Sequence, residues 1–237
     1  MTALFAVTVF LSAVLTFVVQ PMMGKQLLPL VGGTPGVWNA CLLFFQSALL
    51  LGYFVAHKLH ARPAKFVLVA LGVGVAALLA GSLVPLRPDH VHVSSRSPAL
   101  DVLGLLLVSV GGPFLVLSMT APLAQAWYAR SNRNPYPLYA ASNLGSFAGL
   151  LSYPLVVEPN APLADQRFGW AVAFGVWAIG ILACLRFSSR HPTPVREEAT
   201  PLPRRRVWKW VGLAALTSSF LMSVTTHLTT DIAPVPL

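Results

Sequence analysis

Polar residues within long apolar segments are the residues of this chain whose types and spacing could do chemistry. Such side chains cost free energy inside a lipid bilayer, so each one suggests a ligand or a hydrogen-bonding partner. The first cluster runs from Gln20 to Lys25. Pro21 removes a helical hydrogen bond and frees a main-chain carbonyl for a ligand, while Lys25 supplies a positive charge. The alternative is a packed helix kink with Lys25 extending to the membrane surface.

Asn39, Gln46 and Tyr53 form a second polar set, spaced seven residues apart. This spacing keeps the three side chains on one stripe of a helix, with a drift of about 20° per step. A stripe of this kind can line a polar cavity, or it can form a hydrogen-bonded seam between helices. The sequence leaves both interpretations open.

Asn143 lies in a segment that is rich in small residues. Ser142 and Ser146 are four residues apart, as are Gly145 and Gly149. Small residues at this spacing let two helix backbones approach closely, so the pattern favours helix packing. Asn143 beside them is a candidate ligand-binding residue.

His227 and Asp231 are the last polar candidates. They are four residues apart and would face the same way on a helix. The pair could relay a proton, or it could be a hydrogen-bonded pair at the mouth of the helix. His90 and His92, by contrast, are predicted to lie in a solvated loop, and we expect no metal site and no cofactor.

The candidates lie on segments long enough to cross a bilayer. The 237-residue chain is 56% hydrophobic and only 10% charged, whereas soluble domains are about 25% charged. A helical span needs about 20 apolar residues. The predicted spans are 4–30 (broken near Pro21), 38–57, 66–86, 102–121, 138–157, 168–185 and 211–228. The sequence therefore predicts an all-α integral membrane protein with six spans and a seventh after them.

The basic residues occupy alternate connections. Most of the 16 Lys and Arg residues lie between spans 2 and 3, 4 and 5, or 6 and 7. The positive-inside rule places these connections and the N-terminus in the cytoplasm. Membrane topology thus accounts for the net charge of +9, and the lipid bilayer, not nucleic acid, is the expected partner.

A Pro- and Arg-rich segment at 186–209 is expected to be a basic cytoplasmic linker. It separates a six-span bundle at 1–185 from a seventh span at 210–237. One helix after the linker would have no partner, so we expect a fragment, a truncated gene product or one half of a split protein, with a second half missing.

A weak internal repeat has an offset of 101 residues. The matched pairs include Pro21 with Pro122, Trp38 with Tyr139, and Leu43 with Leu144. The repeat unit contains three spans, and because three is odd, the two copies would cross the membrane in opposite directions. Inverted three-plus-three repeats build each half of the major facilitator transporters. The predicted fold is therefore a six-span, major-facilitator-like helical bundle.

Eight short runs of the chain carry a resemblance to a known family: 20–38, 43–46, 51–53, 138–143, 153–154, 158–159, 227–233 and 235–237. They resemble a bacterial family of membrane-bound spermidine-synthase-like proteins. In that family, a multi-span, major-facilitator-like domain precedes an aminopropyltransferase-like domain. The resemblance implies a multi-pass protein of the bacterial inner membrane.

The resemblance implies a transporter-like membrane domain that binds or moves a small metabolite, with a polyamine-related compound as one candidate. The alternative is a non-transporting anchor or partner module for an aminopropyltransferase-like domain. No catalytic residue carries over, because the chain supplies no Rossmann-type segment, and its status as an enzyme stays open. The major-facilitator signature is also incomplete: it expects a carboxylate four residues after Gly52, where this chain has Ala56.

Overall fold

The computed structural model describes residues 1–59, 72, 74, 98–130, 133–188 and 203–227. Helices α1 and α2 are Thr2–Val31 and Pro35–Leu59. Helix α3 joins Pro98–Leu106 to Gly112–Ala129 through a π-helical segment at Leu107–Gly111, and helix α4 joins Tyr136–Ser152 to Glu158–Asn160 through a second one at Tyr153–Val157. Helices α5 and α6 are Leu163–Ser188 and Arg204–His227. No strand occurs within the described ranges.

Six helices are long and apolar enough to cross a membrane: Thr2–Val31, Pro35–Leu59, Ala99–Ala129, Tyr136–Asn160, Leu163–Phe187 and Arg204–Val224. The prediction of an all-α, multi-span membrane protein is thereby confirmed. The predicted span at 66–86 lies outside the described residues except for Gly72 and Gly74, so the total of seven spans stays a prediction. Most of the predicted linker at 186–209 also lies outside them, and its described ends are helical and not linker, because α5 continues to Ser188 and α6 begins at Arg204.

Helix α1 corrects the expected break near Pro21. The helix continues from Thr2 to Val31 with Pro21 and Pro29 both inside it. A proline removes one donor from the helical ladder but leaves the neighbouring hydrogen bonds, and neighbouring helices can support the altered turn. Pro21 therefore changes the hydrogen bonding of α1 without ending the helix.

Helices α1 to α5 pack in the first of two compact units, Met1–Thr193. Helix α1 contacts α4, α5 and α3, while α2 packs mainly against α3. The buried core consists largely of aliphatic and aromatic side chains of these helices, among them Phe5, Phe114, Phe174 and Trp177. Helix α1 is a central element of this unit, because each of the other four helices contacts it, α2 least extensively.

Two glycines bring α4 against the backbone of α1. A Cβ atom added at Gly145 would collide with the carbonyl oxygen of Phe10. One added at Gly149 would lie 2.9 Å from the carbonyl oxygen of Val14 and 3.2 Å from Cβ of Phe17. The small-residue pattern on this helix is therefore used for close packing.

Gly52 of α2 has the same role against α3. A Cβ atom added there would collide with Cβ of Ser118 and lie 3.1 Å from the carbonyl oxygen of Leu115. The aromatic rings of Phe45 and Phe114 meet at an earlier position along both helices, with centroids 4.9 Å apart. The order of these contacts shows that α2 and α3 run in the same direction.

Helix α1 runs opposite to α3. The hydroxyls of Thr2, at the start of α1, and Tyr128, at the end of α3, are 2.9 Å apart. The Arg133 guanidinium, just beyond α3, donates to the Thr2 hydroxyl at 3.3 Å. The start of α1 and the end of α3 thus lie at the same end of the bundle.

The second compact unit, Pro194–Leu237, contains helix α6. The side chains of α6 are almost all exposed, including Trp208, Trp210 and Phe220. A helix of this composition and exposure is suited to contact with lipid.

Gly145→Ala is expected to destabilise the helical bundle by about 1–3 kcal/mol, because the new methyl group would overpack the α1–α4 contact. The matched control is Gly175→Ala on α5, where an added Cβ meets no atom within 4 Å. Thermal unfolding in detergent should show a lower Tm for Gly145→Ala and an unchanged or higher Tm for the control, since alanine favours helix by up to about 1 kcal/mol. Equal Tm values for the two variants would contradict the close contact.

Candidate functional site

A polar cleft lies among helices α1, α2, α3 and α4 and has a volume of about 230 Å³. Apolar side chains such as Phe17, Leu49 and Leu117 form part of its wall. The polar residues that line it are Ser12, Thr16, Tyr53, Ser118, Ser142, Asn143 and Ser146. None of the described residues that line the cleft carries a charge.

Three of the hydroxyls donate their protons within their own helices. Thr16 Oγ1 donates to the Ser12 carbonyl at 2.8 Å, and Ser118 Oγ donates to the Phe114 carbonyl at 2.7 Å. Ser146 Oγ donates to the carbonyl of Ser142 at 3.0 Å. A hydroxyl that donates in this way keeps lone pairs that can accept from another group. These three hydroxyls are therefore available chiefly as hydrogen-bond acceptors, whereas the Tyr53 hydroxyl and the Asn143 amide can also donate.

The structure brings two of the sequence candidates together. Tyr53 of α2 and Asn143 of α4 both line the cleft. Asn39 and Gln46, which share the predicted stripe with Tyr53, do not line it. Of that stripe, only Tyr53 lies at the cleft.

Gln20 lies one helical turn beyond the cleft wall. Its side-chain amide donates to the main-chain carbonyl of Thr16 at 3.2 Å. Gln20 itself is not a lining residue. Its role within the described structure is to bond to the segment of α1 that lines the cleft.

Lys25 forms an ion pair with Glu158 that joins α1 to the end of α4. The Lys25 Nζ and Glu158 Oε1 atoms are 2.9 Å apart, and the two side chains are 41% and 43% exposed. Neither residue lines the cleft. The sequence alone does not predict this pair, because 133 positions separate the two residues in the chain.

The predicted pair of His227 and Asp231 is only partly described. His227 is exposed at the end of α6, and Asp231 lies outside the described residues. The predicted proton relay therefore stays a prediction.

Sequence analysis missed the serines and threonine of α1 and α3 that line the cleft. Ser12, Thr16 and Ser118 are buried, but hydroxyl residues are common in membrane helices because they can bond to their own backbone. Gln166 was also missed: it accepts from the Tyr153 hydroxyl at 3.1 Å and donates to the Ala161 carbonyl at 2.9 Å. A polar glutamine near the start of a predicted span was the sequence feature that could have identified it.

Comparison with protein-family models, with curated proteins and with solved structures finds no match to this chain. The geometry of the described helices is therefore the basis for assigning a function. Within the described residues, no group of three or more His, Cys, Asp or Glu side chains could hold a metal ion.

The Lys25–Glu158 pair is expected to contribute a coupling free energy of about 0.2–1 kcal/mol, because both side chains are substantially exposed to solvent. A double-mutant cycle with Lys25→Ala and Glu158→Ala, measured by unfolding at low and high salt, gives this value. The coupling should fall at high salt through charge screening. The charge-exchanged double variant, Lys25→Glu with Glu158→Lys, is the control and should recover much of the loss. Strict additivity at low salt would show that the ion pair contributes nothing.

Proposed function

We propose that this chain is the membrane domain of a spermidine-synthase-like protein and that it binds or moves a small polar metabolite in the manner of a transporter. The family assignment rests on the sequence resemblance, and the observation that carries the proposed binding is the cleft of about 230 Å³ with polar residues from four helices around it. Ligand sites in helical bundles lie between helices and combine apolar walls with a few polar groups. The cleft has both features.

The packing of the helices supports a major-facilitator-like bundle with two inverted three-span copies. In that arrangement α1 and α2 belong to the first copy, and α3 and α4 take the equivalent places in the second. Equivalent contacts should then be α1 with α4 and α3 with α2, and both are extensive in the structure. The direction of α3, opposite to α1, is the one that an inverted repeat requires.

The glycine contacts support the same repeat at the level of single residues. Gly149 contacts Val14 and Phe17 of α1, whereas Gly52 contacts Leu115 and Ser118 of α3. The contacted residues differ by 101 positions in both cases, which is the offset of the sequence repeat. Gly149 lies four residues, or about one helical turn, before the position that the 101-residue offset would pair with Gly52. The two glycines therefore lie on nearly the same face of their helices.

The direction of the helices also supports a further span between α2 and α3. These helices run in the same direction, and a chain that leaves the end of one must recross the bilayer to begin the other. The predicted span at 66–86 would supply that crossing. The proposed count of seven spans follows.

The placement of basic residues supports a cytoplasmic N-terminus in a bacterial inner membrane. Arg133 contacts Thr2 at the start of α1. Lys58 lies at the end of α2, which returns towards the same side. Basic residues at one end of a bundle favour the cytoplasmic side.

The second candidate function is a non-transporting anchor for an aminopropyltransferase-like domain. It is favoured by Ala56, which is buried where the major-facilitator signature expects a carboxylate. The close glycine contacts also suit a rigid module. The two candidates differ in whether the cleft binds a ligand.

The uncharged lining of the cleft bears on the ligand. A polyamine carries several positive charges, and no carboxylate lies among the described lining residues. An unpaired charge in a site with few counter-charges is costly. We therefore favour a small polar ligand with at most one charge over a polyamine.

Ligand-dependent thermal stabilisation of the purified chain tests the proposed function. The screen should include putrescine, 1,4-butanediol and succinate, which share a four-carbon skeleton but differ in charge, together with metabolite pools. A ligand at about 100 times its Kd should stabilise the chain by about 2.7 kcal/mol.

Asn143→Leu and Tyr53→Phe are expected to weaken that stabilisation at least tenfold in apparent affinity, because each removes a hydrogen-bonding group from the cleft. Gln46→Leu is the matched control, since Gln46 belongs to the same helix as Tyr53 but does not line the cleft. A ligand shift that Gln46→Leu abolishes and Asn143→Leu preserves would place binding elsewhere. No shift from any compound with the folded chain would favour the anchor.

A further inference from the structure

Two prolines each remove a helical donor beside the cleft. Pro21 lies inside α1 and Pro122 inside α3. A proline has no N–H group, so the carbonyl four residues before it loses its usual helical partner. These carbonyls belong to Phe17 and Ser118, and both residues line the cleft.

The two positions are equivalent in the repeat of 101 residues: Pro21 corresponds to Pro122, and Phe17 to Ser118. They also occupy equivalent packing positions, since Gly149 contacts Phe17 and Gly52 contacts Ser118. Each helix thus presents one carbonyl without its usual donor at the same level of the bundle.

The hydroxyl groups beside these carbonyls are acceptors as well. Thr16 and Ser118 direct their hydroxyl protons to main-chain carbonyls of their own helices at 2.8 and 2.7 Å. Their oxygen lone pairs remain available to a further partner. The α1 and α3 walls therefore carry carbonyl and hydroxyl oxygens that can accept a hydrogen bond or bind a cation.

We propose that the cleft binds a single monovalent cationic centre, an alkali ion or a primary ammonium group, through the main-chain carbonyls of Phe17 and Ser118 and the hydroxyl oxygens of Thr16 and Ser118. This inference deepens the proposed function by naming the ligand chemistry of the same cleft. Neutral carbonyl and hydroxyl oxygens can replace the hydration shell of a monovalent cation. Interrupted helices in transporters present carbonyls to Na⁺ in a comparable way.

The described lining residues carry no charge, and this limits the charge that a ligand can have. Divalent cations are usually held by carboxylates, and none lies among the described lining residues. An anion is best held by a charged donor, and no Lys, Arg or His lies among the described lining residues; the remaining donors, such as the Tyr53 hydroxyl and the Asn143 amide, are neutral. A cleft of about 230 Å³ has room for a hydrated alkali ion or for a small molecule with one ammonium group.

The test compares chloride salts of different cations at equal ionic strength on the purified full chain in detergent. The probes are sodium, potassium and methylammonium, and the reference is tetraethylammonium, whose nitrogen has no N–H group and is shielded from the same oxygens by four ethyl groups. At least one probe cation should give a saturable rise in Tm of several degrees over the reference. Sodium or potassium would identify an alkali ion, and methylammonium an ammonium group. Identical unfolding curves in all four salts would overturn the proposal.

Pro21→Ala tests the Phe17 carbonyl without changing any side chain that lines the cleft. This substitution introduces a main-chain N–H group that can donate to the Phe17 carbonyl, so the affinity for the cation should fall at least tenfold while the helix is kept. Pro29→Ala is the matched control in the same helix, because its carbonyl partner is that of Lys25, which does not line the cleft. Pro122→Ala tests the Ser118 carbonyl in the same manner.

Loss of the cation shift in Pro21→Ala and Pro122→Ala, with retention in Pro29→Ala, would support the site. An equal shift in all three variants would overturn it. Metabolite binding without any cation effect would leave the proposed function intact and reject this inference alone. A rise in Tm with a probe cation, without binding of any metabolite, would support the cation site and count against the proposed binding or transport of a metabolite.

Discussion

Lipid offers no hydrogen-bonding partner to a peptide group, and the described structure depends on this constraint. Every span must form its own backbone hydrogen bonds, and the long apolar segments of the described chain are accordingly helical. Helices in lipid gain little from apolar burial and instead associate through close packing of their surfaces. Gly145 and Gly149 allow α4 to lie against the backbone of α1. This contact brings Asn143 and Ser146 to the cleft beside Thr16.

Proline makes a local exception to that constraint. In α1 the ladder continues through Pro21, yet one acceptor at Phe17 is left without its usual donor. An acceptor of this kind facing lipid would be costly, whereas beside a polar cleft it can be satisfied by water or a ligand. Each proline therefore affects the cleft through the carbonyl four residues before it, and not through a break in the helix.

Sequence patterns predicted the spans well because hydropathy and helix length are averaged over about 20 residues. They failed at Pro21, where a local rule about proline was outweighed by the packing of α1 against the other four helices of its unit. The seven-residue stripe gave the relative direction of Asn39, Gln46 and Tyr53 but not their position along the span, and only Tyr53 lies level with the cleft. The Lys25–Glu158 pair could not be predicted from spacing, because it depends on how α1 and α4 align.

The choice between transporter and anchor depends on how easily α1 can separate from its neighbours. A cleft lined by hydroxyls forgoes packing contacts between helices, which an anchor has no physical reason to do. Transport also requires the cleft to open at alternate ends, and the glycine contacts hold the backbones of α1 and α4 too closely for easy sliding. The Lys25–Glu158 pair, by contrast, is exposed and weak, so it can break at little cost. If the cleft opens at the Lys25–Glu158 end, α1 and α4 would therefore tilt about their glycine contact. That contact would act as a pivot, and the cleft would lie between the helices that move.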